Sequence, residues 1–136
     1  MDNMLNAWRP RVLSLLRIVT GFLYIQHGTQ KMFGSPSPQH GSFDLLSLMG
    51  LAGSLEVIGG VLILIGLFTR PVAFLLSGEM AFAYFIAHAP RSFWPMLNGG
   101  ELAVMWCFVY LYLTFAGGGQ WSIDNLRAGK AKGGNG

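Results

Sequence analysis

Residues 51–68 read LAGSLEVIGGVLILIGLF, an apolar run in which Glu56 is the one charged side chain. A helix rises about 1.5 Å per residue, so a run of this length approaches the ~30 Å thickness of the hydrocarbon core of a membrane. Comparable apolar runs lie at residues 12–34, 72–89 and 98–116. The pattern predicts an all-α integral membrane protein, a four-helix bundle with four transmembrane helices.

The composition favours the same class of protein. Of the 136 residues, 52% are hydrophobic and 11% are charged, which is too apolar for an ordinary soluble domain. The net charge of +3 could suggest nucleic acid as a partner, but the charges lie at the ends of the apolar runs. We therefore expect the lipid bilayer, and not nucleic acid, to surround this chain.

The distribution of basic residues predicts the orientation of the helices. Six of them lie before the first run, between the second and third runs, or after the fourth: Arg9, Arg11, Arg70, Arg127, Lys130 and Lys132. Lys31 and Arg91 flank the opposite side. Because basic residues accumulate on the cytoplasmic side, both termini of this multi-pass protein are expected in the cytoplasm.

The chain is expected to form one domain, residues 1–126, followed by a disordered basic cytoplasmic tail, residues 127–136. Pro10 suits the start of the first helix. The first run is long, lacks a small-residue cleavage site and carries polar residues where a signal peptide is most apolar, so it is expected to remain in the mature protein.

Several polar residues lie within these apolar runs. A charged side chain at the centre of a bilayer costs about 2.5–3.5 kcal/mol, so such groups point inward, form pairs or become neutral. The candidates for ligand binding or proton relay are His27, Gln30, Lys31, Glu56, Glu79, His88, Asn98 and Glu101. No catalytic residue and no metal site is assigned. Most of these candidates are expected in the outer half of the bundle, with Glu79 near the midplane.

Helical spacing predicts which candidates face one another. His27, Gln30 and Lys31 stand at i, i+3 and i+4, on one face of the first helix. Glu56 shares its face with three glycines: Gly53, Gly59 and Gly60. Glu101 shares its face with Asn98, Val104, Met105 and Phe108. We expect these three faces to turn into the bundle.

The third helix leaves two alternatives for its polar residues. Glu79 and His88 are nine residues apart, which places them on opposite faces of a regular helix. Either His88 is an interfacial residue, or Glu79 forms a separate pair, with Arg17 as the candidate partner.

Two roles for these polar residues stay open at this stage. A buried carboxylate near a histidine could accept the proton of a quinol hydroxyl, or relay a proton outward. Intramembrane ion pairs could instead only fix the register of the helices. Haem is disfavoured, because His27 and His88 would be offset by roughly 8 Å along the helix axes. The aromatic run FVYLYLTF, residues 108–115, is interpreted as lipid contact and core packing, and Cys107 as a core residue.

Four blocks of sequence carry a resemblance to a known family. They are RIVTGFLYIQHGTQKMFG, SLEVIGGVLILIGLFTRP, GEMAFAYFIAHAPRSFWPMLNGGELAV and GGGQWSID, and together they extend from residue 17 to residue 124. In order and spacing they resemble the DoxX family of small bacterial membrane proteins. By position, all eight candidate residues match polar positions of the family's blocks.

The resemblance implies a four-span protein of the cytoplasmic membrane. The family is named after a subunit of an archaeal terminal quinol oxidase, and many members are labelled oxidoreductases without a demonstrated reaction. We therefore expect a membrane subunit of a quinone-linked redox complex, with redox subunits or further copies of the chain as partners. The cofactor is not assigned, and quinone is the candidate. The wider superfamily resembles eukaryotic cargo receptors, so a non-enzymatic scaffold or cargo-binding subunit is the alternative. For the redox subunit, a cluster of His27, Lys31, Glu56 and Glu101 is the expected site that binds a quinone-like or small polar ligand or docks a redox partner; for the scaffold, these charges are structural.

Overall fold

In a computed structural model, which describes residues 1–37 and 44–133, the chain is built from helices, and no strand occurs among those residues. The α-helices are α1 (Asp2–Phe33), α2 (Leu48–Ile65), α3 (Thr69–Ala83), α4 (Pro95–Asn98), α5 (Glu101–Ala116) and α6 (Ile123–Gly133). A π-helical turn, Tyr84–His88, directly continues α3. The all-α prediction is confirmed.

The four longest helices pack side by side. α1 packs most extensively on α2 and α3 packs most extensively on α5, while α2 also meets α3 and α1 also meets α5. The order around this helical core is therefore α1, α2, α3 and α5, with α1 diagonal to α3. The large apolar side chains buried at its centre are Tyr24, Ile63, Leu76, Tyr110 and Leu113.

Glycines allow α1 and α2 to approach closely. A Cβ atom added at Gly21 would lie 2.8 Å from the backbone nitrogen of Leu64. One added at Gly28 would lie 2.8 Å from the carbonyl oxygen of Gly53. Small residues at a contact let two backbones meet, which is the usual basis of close helix packing in membranes. The α1–α2 contact therefore requires glycine at these positions.

Two stretches of the described chain are long and apolar enough to cross a membrane. They are Leu48–Ile65, with a mean hydropathy of 2.2, and Thr69–His88, with a mean hydropathy of 1.3. α5 is apolar but only 16 residues long. α1 has 32 residues, a length of about 48 Å, but polar residues interrupt its apolar run. Four membrane crossings stay a prediction.

The first helix begins earlier than expected. α1 begins at Asp2, and Pro10 lies inside it instead of at its start. A proline leaves the carbonyl four residues earlier without its usual N–H donor, but residues 1–10 are exposed, so solvent can reach that carbonyl. The carbonyl of Pro10 itself accepts hydrogen bonds from Ser14 Oγ at 2.9 Å and from the backbone nitrogen of Gln120 at 3.0 Å.

The C-terminal residues also differ from the expected disordered tail. α6 runs to Gly133, so residues 127–133 are helical, and residues 134–136 lie outside the described chain. Ser122 Oγ accepts a hydrogen bond from the backbone nitrogen of Asn125 at 3.2 Å, next to the start of this helix. Lys130 and Lys132 lie in its last turn, where the helix dipole favours positive charge.

Arg17 fastens one end of the helical core, below called the Arg17 end. Its side chain is fully buried. Nε donates to the carbonyl of Gly118 at 2.8 Å, and Nη1 donates to the carbonyls of Ile63 and Leu64, each at 2.5 Å. Nη2 donates to the carbonyl of Trp121. One guanidinium thus joins α1 to the end of α2 and to the segment after α5.

Asp124 makes a second connection at the Arg17 end. Its two carboxylate oxygens accept hydrogen bonds from the backbone nitrogens of Phe68 and Thr69, each at 2.8 Å. These nitrogens belong to the start of α3, where backbone N–H groups lack partners within the helix. The segment GGGQWSID therefore holds the start of α3 as well as the end of α2.

Candidate functional site

An ion pair joins α1 to α2 at the opposite end of the helical core. Lys31 Nζ lies 2.5 Å from Glu56 Oε1. The Glu56 side chain is 2% exposed and that of Lys31 is 21% exposed. As predicted, Glu56 shares a buried face of α2 with its three glycines, Gly53, Gly59 and Gly60. The ammonium group therefore remains accessible while the carboxylate is buried behind it.

A second carboxylate approaches this pair from α3. Tyr24 Oη donates a 2.9 Å hydrogen bond to Glu79 Oε2. Glu79 also lies within electrostatic range of Glu56 and Lys31. The prediction that Arg17 could pair with Glu79 was wrong, because the guanidinium of Arg17 is taken up by backbone carbonyls. Glu79 belongs with Glu56 instead.

Three buried oxygen atoms in this region have no hydrogen-bond partner in the part of the chain that the structure describes. They are Glu56 Oε2, Glu79 Oε1 and Tyr110 Oη. Tyr110, from α5, is fully buried and lies within electrostatic range of both carboxylates. An unpartnered buried polar group costs about 1–3 kcal/mol. These atoms, with their neighbours, form a site below called the carboxylate cluster: Tyr24, Lys31, Glu56, Glu79 and Tyr110.

Aromatic rings form one wall of the carboxylate cluster. The ring of Tyr24 packs edge to face against Trp106, with centroids 4.9 Å apart, and against Tyr110, with centroids 5.1 Å apart. His27 also packs edge to face against Trp106, with ring centroids 4.7 Å apart, and lies within electrostatic range of Lys31. His27 is half-buried and stands beside the cluster.

Asn98 and His88 form a separate polar group. Asn98 is 2% exposed, and its amide nitrogen donates to Tyr84 Oη at 3.2 Å and to the carbonyl of Ser92 at 2.9 Å. His88 Nδ1 lies 3.1 Å from the carbonyl oxygen of Asn98. Because a carbonyl oxygen only accepts, Nδ1 is the nitrogen that carries hydrogen. This group fastens the connection after the π-helical turn, and it does not include Glu79.

The prediction that Glu101 faces this site was wrong. Glu101 is exposed, as are Met105 and Phe108 on the same face of α5, at 62% and 63%. The chain breaks between α4 and α5 at Gly99, whose φ is +71°, so Asn98 and Glu101 do not share a helical face. Glu101 instead lines a surface depression with Trp94, Pro95, Met96 and Leu97.

Gln30 also lies apart from the carboxylate cluster. Its amide nitrogen donates to Ser37 Oγ at 2.7 Å in an exposed position. Of the expected face of α1, Lys31 reaches the cluster and His27 stands beside it. The rotation of α1 about its own axis therefore determines that Lys31, and not Gln30, points into the cluster.

Tyr24 and Tyr110 were missed as site residues, and Tyr110 was missed because the aromatic run at residues 108–115 was interpreted as lipid contact and core packing. A signal was present, since Ala103, Trp106, Tyr110 and Leu113 recur at intervals of three and four residues. That spacing marks the one buried face of α5. A tyrosine hydroxyl on such a face needs a polar partner.

The profile of the DoxX family matches residues 12–89, more than half of the chain. The chain belongs to the DoxX family. The match contains Tyr24, Lys31, Glu56 and Glu79, so four of the five members of the carboxylate cluster lie within the DoxX region. It also makes the chain a member of a family of membrane proteins.

Relatives of this DoxX chain are found in several bacteria. An uncharacterized protein of Haemophilus influenzae is 41% identical over 128 residues, which is 90% of this chain and 96% of the relative. The uncharacterized membrane protein Rv3486 of Mycobacterium tuberculosis is 24% identical, over 94% of this chain and 88% of its own length. The "Putative oxidoreductase CatD" of Bacillus subtilis is 28% identical, over 89% of this chain and 90% of its own length. No solved structure gave a significant match.

Proposed function

We propose that this DoxX-family chain crosses the bacterial inner membrane four times and serves as the membrane subunit of a quinone-linked oxidoreductase complex. The observation that carries the proposal is the Lys31–Glu56 ion pair within an apolar helical protein. Lys31 is partly accessible, and Glu56 and Glu79 lie behind it. Ionisable groups retained in such surroundings are typical of proton or ligand sites. The name of the Bacillus relative supports the reaction class.

The crossings are α1, α2, α3 with its π-helical turn, and α5. The start of α1, the α2–α3 connection and the segment after α5 meet at the Arg17 end, through Gln120 with Pro10 at 3.0 Å and Asp124 with Gly66 at 2.9 Å. The predicted excess of basic residues therefore belongs to one end of the helical core. We infer from this excess that both termini lie in the cytoplasm.

The chemistry follows from the order of the polar groups. Lys31 donates a hydrogen bond to an oxygen of the quinol ring and orients it towards the cluster. Oxidation of the quinol to quinone releases two protons and two electrons. One proton would pass to a carboxylate of the cluster and the other to His27, and a partner subunit with a redox group would accept the two electrons.

The first test is the quinone content of the mildly purified protein, measured by mass spectrometry. We expect near-stoichiometric quinone in the wild type. Lys31→Gln and Glu56→Gln should lose it while remaining folded by circular dichroism. Glu101→Gln is the matched control, because it changes an exposed glutamate. No enrichment over bulk lipid in any folded sample would contradict the proposal.

The orientation has its own test. In a Cys107→Ala background, single cysteines replace Phe93, which is 82% exposed, or Lys132, which is also exposed. A membrane-impermeant maleimide should label Phe93→Cys in intact cells and label Lys132→Cys only after permeabilisation. The reverse pattern would contradict the placement of the termini.

The second candidate function is a non-enzymatic scaffold or cargo-binding subunit. It is favoured by the way in which buried charges tie elements together, since Lys31–Glu56 joins α1 to α2 and Arg17 joins three segments. A scaffold predicts that Glu56→Gln impairs folding or partner binding and that quinone is absent from the folded wild type. The quinone measurement with its fold control separates the two functions.

A further inference from the structure

We propose that Glu56 and Glu79, each with one buried carboxylate oxygen that has no partner in the described chain, hold a single proton in common at a site that the Tyr110 hydroxyl also lines. The inference deepens the proposed function. Only the role of this proton in quinol oxidation rests on that proposed function. The site itself is argued from the contacts of the carboxylate cluster.

Each carboxylate has one oxygen engaged and one left over. Glu56 Oε1 lies 2.5 Å from Lys31 Nζ, and Glu79 Oε2 accepts the 2.9 Å hydrogen bond from Tyr24. Glu56 Oε2 and Glu79 Oε1 are buried and have no partner among residues 1–37 and 44–133. α2 and α3 are neighbours in the helical core, and the two carboxylates lie within electrostatic range of each other. If one of these oxygens carries a proton, a water molecule that accepts from it and donates to the other oxygen would give both a partner.

The charges of the groups around the two carboxylates indicate that the pair carries one proton. The groups that face the site are Tyr24, His27 and Lys31 of α1, Glu56 of α2, Glu79 of α3 and Tyr110 of α5. Two ionised carboxylates would face a single ammonium group and leave a net negative charge in an apolar interior. Like charges at close range in such an environment are not both maintained, and carboxylate pairs of this kind hold one proton in common. With one proton, the cluster is neutral.

Tyr110 provides an independent indication. Its hydroxyl is fully buried, has no partner in the described chain and comes from a different helix than either carboxylate. A phenol can donate to a carboxylate oxygen and accept from a carboxylic acid. Through a bridging water molecule it can therefore serve a site where one carboxylate oxygen carries hydrogen and the other does not.

The shared proton gives the proposed redox site a relay. The proton held by the cluster leaves to solvent, and an O–H bond of the quinol then breaks as a new O–H bond forms on the carboxylate. The cluster returns to its starting protonation, and the electrons follow the route to the partner subunit. The site thus transfers one proton in each cycle without a net change in its own charge.

The test is infrared spectroscopy of the full chain in lipid vesicles at neutral pH, without added quinone. We expect the C=O stretching band of one protonated carboxyl group per chain, shifted on exchange into D₂O. Both Glu56→Gln and Glu79→Gln should abolish this band, because the remaining carboxylate then pairs with Lys31 alone. Glu101→Gln, at an exposed position, should retain it. Lys31→Met should double it, since two carboxylates without a cation hold two protons.

Several outcomes would overturn the inference. The absence of the band from the wild type would do so directly, even if every variant failed to fold. A band that persists at full intensity in Glu56→Gln, or in Glu79→Gln, would assign the proton to the other residue alone. The measurement needs no quinone, so quinone binding without the band refutes only the shared proton. The band without quinone refutes only the redox function.

Discussion

The hydroxyl of Tyr24 donates a 2.9 Å hydrogen bond to Glu79 Oε2 and so connects α1 to α3 across the interior of the protein. These two helices are diagonal in the packing order, each lying between α2 and α5. The bond holds Glu79 on the side of the interior where Lys31 meets Glu56. The position of the second carboxylate is therefore set by α1 as much as by α3.

Loss of the Tyr24 hydroxyl should destabilise the protein. We expect Tyr24→Phe to lower the free energy of unfolding by about 1–2 kcal/mol, because Glu79 loses its hydrogen bond in a buried position. Unfolding by SDS in mixed micelles measures this difference. Tyr112→Phe is the control, since Tyr112 is 56% exposed. An equal loss in both variants would show that the hydroxyl of Tyr24 has no special role.

The Lys31–Glu56 pair should show strong coupling. Without Lys31, its carboxylate partner must take up a proton instead of pairing, and breaking a buried ion pair in this way costs up to about 3–5 kcal/mol. We expect Lys31→Met to approach this cost and the double variant Lys31→Met/Glu56→Gln to recover much of it. The double-mutant cycle is measured with the same unfolding method. Additive effects of the two single changes would argue against an energetically important pair.

Close packing of α1 on α2 should make Gly28 intolerant of a side chain. A Cβ atom there would lie 2.8 Å from a backbone carbonyl of α2, so the helices would have to move apart. We expect Gly28→Ala to lower the free energy of unfolding by about 1–3 kcal/mol.

Gly78 of α3 offers the matched control for Gly28. A Cβ atom at Gly78 would have no neighbour within 4 Å. Gly78→Ala should therefore be neutral or should stabilise the helix by up to about 1 kcal/mol. Thermal unfolding in detergent compares the two variants. Similar behaviour of both would contradict the close contact of α1 with α2.

Arg17 should not be replaceable by lysine. Its planar guanidinium reaches carbonyls of α2 and of the segment after α5, and a lysine cannot reproduce this fork of donors. We expect Arg17→Lys to lower the free energy of unfolding by about 2–4 kcal/mol, as buried carbonyls lose donors. Hydrogen exchange should also quicken in residues 117–124. Arg9→Lys, at an exposed site, should change neither quantity.

Much of the candidate site could be predicted from the sequence. Glu56 among its glycines was expected on a buried face, and that face is buried because the small residues let another helix pack closely and a carboxylate is costly to expose to lipid. Lys31 was expected to meet a carboxylate of another helix, and it meets Glu56. The partners of Glu79 could not be predicted, because the spacing of residues within one helix does not show which helices lie diagonal to each other.

The sequence by itself determined the all-α class, because apolar runs of this length can bury their backbone polar groups only as helices in a membrane. It also determined which residues were too polar to face lipid. Only the tertiary structure decided which of them meet. The break at Gly99 turns Glu101 outward, and the packing order of the helices brings Glu79 to Glu56 while Arg17 stays at the other end. The physical reason is that helical periodicity fixes the relative directions of side chains within one helix, whereas the rotation and neighbours of each helix depend on contacts distant in the chain.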